Sequence, residues 1–159
     1  MANALSLRSR ALIMTTIGVG FLHHLDHALR VDHSGWPFRP DVTPFTYSLV
    51  AYPILLFALL GPGTWRWARL ALLAGATGFT LWAHTQVETP WMQYVMWAEN
   101  RSLDPRTQGF QNALCIQSPA LGWVAVAISL TLNTLLSAST LSMLWDNLGL
   151  SGKRKDASA

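Results

Sequence analysis

Long uncharged apolar runs alternate with short polar stretches along this chain, and the runs define its elements. Four of them read as membrane-spanning helices, at about 11–29, 44–60, 65–87 and 119–145. Roughly 20 apolar residues cross the ~30 Å hydrocarbon layer of a bilayer. The first run is apolar to Leu22 and is then interrupted by His23-His24-Leu25-Asp26-His27. The second opens on Thr43-Pro44, a capping residue followed by proline at the first helical position. It carries Pro53, an expected kink, and stops at Gly61-Pro62-Gly63. The fourth opens on Ser118-Pro119 in the manner of the second. Between the third and fourth lies the largest outer loop, where Pro90 and the aromatic run Trp91–Trp97 predict a short helix along the membrane surface. The pattern predicts an all-α integral membrane protein in which residues 1–150 form one four-helix transmembrane domain and 151–159 a disordered cytoplasmic tail.

Composition agrees with the pattern. Charged residues make up 12% of the 159 positions, about half the usual share of ~25%, too few to coat a soluble domain. Most of the eight tryptophans stand near the ends of apolar runs, where amphipathic rings favour the headgroup zone. The net charge of +3 comes from basic residues beside apolar runs rather than from a basic stripe, so nucleic acid is not an expected partner. Arg8 and Arg10 precede an apolar run without a small-x-small cleavage site, so a retained first helix is expected rather than a signal peptide. The single Cys115 excludes an intrachain disulfide, a cysteine zinc framework and paired-cysteine redox chemistry.

Orientation follows from Lys and Arg. With the N-terminus inside, Arg8, Arg10, Arg66, Arg69, Lys153, Arg154 and Lys155 are cytoplasmic, against Arg30, Arg39, Arg101 and Arg106 outside. Seven against four favours both termini inside. The expected location is the plasma (inner) membrane, multi-pass, with the lipid bilayer as surroundings and a homo-oligomer or a larger membrane complex as the partner state. In this orientation all five histidines lie at the outer side.

That one-sidedness is where candidate chemistry enters. On a helix His23 and His27 share a face, with Asp26 and Arg30 beside them and His24 pointing elsewhere. A second pair, His84 and Glu88, lies at the outer end of the third run, which antiparallel topology brings to the same depth as the first. His23, His27 and His84 are then candidate metal ligands, with Glu88 and Asp26 as ligands or orienting groups and Arg30 holding a carboxylate. Three imidazoles and a carboxylate suit zinc, iron or copper, and one histidine from each helix could instead ligate a haem b axially. Met92, Met96 and Cys115 in the outer loop would add soft ligands for copper. His33, among Gly and Pro residues, reads as a solvated loop residue.

Two further stripes read as packing devices. Ala71, Gly75 and Gly78 allow close helix approach, and Ser129, Asn133, Ser137 and Thr140 offer interhelical hydrogen bonds. The run His23–His27 resembles a histidine box of the membrane fatty-acid hydroxylases and desaturases. Those families carry several boxes facing the cytoplasm, whereas this chain has one facing outward, and no function is carried over. Three functions remain: a metal or haem site at the outer face, a non-catalytic accessory or assembly subunit, and an oligomeric proton or ion pathway.

Overall fold

The computed structural model describes residues 5–30 and 44–149. The expected cap at Thr43, the loop with His33, and the tail 151–159 lie outside them. The described residues are all-helical: α1 (Leu7–Arg30), α2 (Pro44–Ser48), α3 (Ala51–Leu60), α4 (Arg66–Trp82), α5 (Pro90–Ala98) and α6 (Pro119–Asn147), with a π-helical turn (Ala83–Val87) continuing α4.

The first helix settles a question that spacing alone left open. It does not end at Leu22 but runs for 24 residues through the whole histidine run to Arg30, about 36 Å at 1.5 Å per residue. Its start is capped by Ser6, whose hydroxyl accepts from the Ser9 amide at 3.2 Å. His27 and Arg30 in its last turn oppose the negative end of the helix dipole. The Ala113 amide, from the stretch between α5 and α6, donates to the Leu29 carbonyl at 2.7 Å and closes that end.

The second expected span is where the pattern and the fold differ. Pro53 interrupts this segment one turn back, where a kink is expected. It has no N–H to continue the ladder to Leu49, so the segment breaks at Leu49–Val50 and Pro53 falls in the first turn of α3. The 10-residue α3 spans only about 15 Å by itself. It stops at Gly61, where a Cβ would lie 2.5 Å from the Phe57 carbonyl oxygen. Of the described helices, Pro119–Asn147 alone is long and apolar enough to cross a membrane by itself. Phe45–Leu60 with Gly63–Val87 meets the criterion only as a pair bent by 118°.

Polar rungs fix the packing order. Antiparallel α1 and α6 are joined at Ser9–Ser142 (2.7 Å) and Thr16–Ser139 (3.0 Å). Antiparallel α4 and α6 are joined at Asn147–Arg66 (3.1 Å) and Thr77–Thr140 (2.8 Å). So α1 and α4 run parallel, with their C-terminal ends at one level. An apolar cluster of Ile13, Leu55, Ala58, Leu70, Leu73, Leu132, Leu136 and Met143 fills the opposite half. Helix α5 starts at the expected proline, capped by Thr89, and packs one side inward. Val95, Met96 and Trp97 are buried, and Tyr94 presses on Gly122 of α6, where a Cβ would meet its ring at 2.8 Å and its carbonyl at 2.9 Å.

Gly122→Ala is therefore expected to lift α5 from α6 and to lower stability by about 1–3 kcal/mol. Gly75→Ala, where a Cβ meets nothing within 4 Å, should leave it unchanged or slightly raised. Thermal-shift curves of the two variants in detergent check the pair.

Candidate functional site

The parallel packing of α1 and the extended α4 does to their histidines what the spacing predicts. His23, His27 and His84 are all buried and their nearest ring nitrogens lie within 4.8 Å of one another. His23 Nε2 stands 3.0 Å from His27 Nε2 and 3.1 Å from His84 Nε2. The rings meet edge to face, with centroids 4.5 Å and 4.8 Å from that of His23.

The neighbours on the far sides of two rings favour one tautomer for each neutral imidazole. His84 Nδ1 lies 3.0 Å from the Asn133 carbonyl oxygen, which only accepts, so His84 donates there and its Nε2 is left with a lone pair. His23 Nδ1 lies 3.3 Å from Ser129 Oγ, whose own proton goes to Gln93 Oε1 at 2.7 Å. His23 therefore also donates from Nδ1, and its Nε2 lone pair faces that of His84.

The carboxylates divide their tasks. Residues 83–87 form a π turn, closed by the Glu88 amide on the Ala83 carbonyl at 2.8 Å. Thr89 before Pro90 is held extended. Glu88 is thereby turned toward α1, where one oxygen sits 3.1 Å from His27 Nε2 and the other pairs with Arg30. Neither carboxylate is grouped with the three ring nitrogens, and Asp26 is engaged elsewhere. One of its oxygens accepts from Arg30 Nε at 2.7 Å and the other from Trp97 Nε1 at 2.8 Å, so it orients and does not ligate. Arg30, 0% exposed, spans the two carboxylates and is the residue on which their burial depends.

His24 points off the cluster as expected. It contacts Ser48 Oγ at 2.9 Å and Tyr52 at 2.9 Å, tying α1 to α2 and α3. Cys115 is exposed and stands outside the histidine group. Four residues around the site were not among the expected ones: Asn133, Ser129, Gln93 and Trp97. Two of them belong to the polar stripe of α6, which offered a signal in the form of an amide and a hydroxyl one turn apart in the half nearer the helix start. Gln93 and Trp97, also one turn apart on α5, gave none beyond aromatic content.

The sequence matches no protein-family model, and comparisons with curated proteins and with solved structures find nothing similar. What the site can do is read from its geometry. For zinc–nitrogen bonds of 2.0–2.1 Å, a tetrahedral set separates its nitrogens by roughly 3.3 Å. The two Nε2 separations around His23 are close to that value, so a small movement of the rings admits an ion.

Replacing Arg30 by Met would leave two buried carboxylates without a counter-charge. The expected loss is about 3–5 kcal/mol, read as a drop in thermal-shift midpoint. Arg30→Lys should recover little of it, because a point charge cannot fork between Asp26 and Glu88.

Proposed function

We propose that this chain is a multi-pass integral membrane protein carrying a divalent transition-metal centre held by His23, His27 and His84 at the extracytoplasmic ends of α1 and α4. The observation that carries the metal reading is the 3.1 Å approach of His23 Nε2 to His84 Nε2, with both Nδ1 atoms committed as donors to Ser129 and Asn133. Two lone pairs at that distance repel unless a cation lies between them. A proton relieves one pair only, whereas an ion relieves the convergence of all three imidazoles. The far-side hydrogen bonds are those that orient metal-bound histidines and fix their tautomer.

Zinc or iron(II) suits this nitrogen set. Of the sulfur groups that would favour copper, Cys115 is exposed and Met96 is buried on α5. A bis-histidine haem requires its axial nitrogens about 4 Å apart, twice a ~2.0 Å bond, with a macrocycle between the rings. The 3.1 Å between His23 and His84 Nε2 is nearer the spacing of ligands to one ion than that of a haem pair.

The membrane reading is supported by an inverted burial pattern. Among the described residues, 21 polar or charged side chains are buried against 14 apolar ones, while 23 large apolar side chains are exposed. Water penalises that distribution and lipid favours it. The 29-residue α6 and the length of α1 support full crossings. On this reading the broken α2–α3 segment and α4 complete four passes, with both termini cytoplasmic. A second reading, an accessory subunit docked in a larger membrane complex or a homo-oligomer, is favoured by Gly75 and Gly78 of α4, where added side-chain carbons would meet nothing.

Protein purified in detergent is expected to retain zinc or iron stoichiometrically, and the His23→Ala, His84→Ala double variant to lose it while still inserting. A metal-free wild type that takes up no added ion, or a double variant that loses only its association with a partner, would favour the accessory reading. Tags at the two termini should be accessible from the cytoplasmic side alone. Opposite sides would rule out four passes.

A further inference from the structure

Two donors near the centre are fully buried and have no hydrogen-bond partner among the described residues: Arg30 Nη2 and Gln93 Nε2. Both residues are 0% exposed. Leaving a buried N–H unmade costs about 1–3 kcal/mol, more for a charged group, so two such groups together call for an acceptor. Both belong to the shell of the histidine cluster. Arg30 bonds Glu88, which stands 3.1 Å from His27. Gln93 is bonded to Ser129, which stands 3.3 Å from His23.

Charge points to the same conclusion. The buried cluster sets one guanidinium against two carboxylates, Asp26 and Glu88. The imidazoles add none when they serve as neutral ligands. The cluster is thus one charge negative, and a divalent ion makes it one charge positive. A net charge in so buried a site is costly unless it is balanced. Three protein nitrogens also leave a coordination position open.

We infer that the open position of the metal centre takes a small planar monoanionic oxyanion, of the carboxylate or bicarbonate class, which binds the ion through oxygen and accepts from Arg30 Nη2 and Gln93 Nε2. Such a ligand has the charge that neutralises the cluster and enough oxygen atoms to serve an ion and an N–H donor together. A monatomic anion has the charge but cannot bridge. The inference rests on the metal reading above.

The test uses the full chain in detergent micelles loaded with cobalt(II), whose visible spectrum reports its ligands, titrated separately with formate, bicarbonate and chloride. Saturable spectral changes are expected with formate or bicarbonate, the tighter of the two naming the source, and weaker binding with chloride. Gln93→Glu should bind cobalt with unchanged stoichiometry but bind the oxyanion at least about 10-fold more weakly. Gln93→Met, which also removes the acceptor for Ser129, should weaken the oxyanion in the same direction when affinity is read per cobalt bound, and decides the matter if the glutamate variant does not fold. Cobalt bound with a spectrum indifferent to both oxyanions, or equal oxyanion affinity in the Gln93 variants, would overturn the inference and leave the metal centre standing. Failure of cobalt to bind at all would instead overturn the metal reading, and this inference with it.

Discussion

A guanidinium with no access to solvent holds the histidine-bearing ends of these helices together. Arg30, in the last turn of α1, pairs with Asp26 one turn back on its own helix and with Glu88 at the end of the π turn that prolongs α4. Asp26 in turn accepts from the Trp97 indole on α5. Three elements are thus pinned through one side chain, and the imidazoles of His23, His27 and His84 stand against it. A buried ion pair of this kind adds little net stability over an apolar replacement. Its effect is on register: a fork that must meet two carboxylates fixes how far α1 and α4 can slide past each other.

The rest of the packing follows the same division of labour. The half of the bundle away from the histidines is apolar inside, around Ile13, Leu73, Leu132 and Met143. The helices still keep hydroxyl rungs there, Thr16 to Ser139 and Thr77 to Thr140. Where lipid-like side chains cover the outside, apolar contact does not distinguish one helix face from another, and hydrogen bonds between small polar residues supply the specificity. On α6 one stripe does both jobs. Thr140 joins helices, while Ser129 and Asn133 hold the tautomers of His23 and His84.

Much of this was legible in the sequence, for identifiable reasons. Helical spacing put His23 and His27 on one face, and the equal depth of two parallel helices brought His84 to them. The cap at Ser118 and the helix after Pro90 were carried by local chemistry: a hydroxyl followed by proline is a helix start wherever the helix lies. The exact role of Asp26 was not legible, because ligand and orienting carboxylate look alike until their partners are known, and Trp97 lies far along the chain. The interruption at Leu49–Val50 lies one turn before the kink residue Pro53, because the missing N–H acts on the hydrogen-bond ladder there. Asn133 was assigned to helix pairing alone. Only the π turn, which spacing does not reveal, shows Glu88 and His84 taking different neighbours.

The central claim is that three imidazoles from two helices share one metal ion, and X-ray absorption at the metal edge tests it most directly. Protein loaded with zinc should show a first shell of nitrogen and oxygen at about 2.0–2.1 Å, with the outer-shell scattering of several imidazoles, reduced in single alanine variants of His23, His27 and His84. A sulfur shell at about 2.3 Å, or a light-atom shell without imidazole scattering, would contradict it.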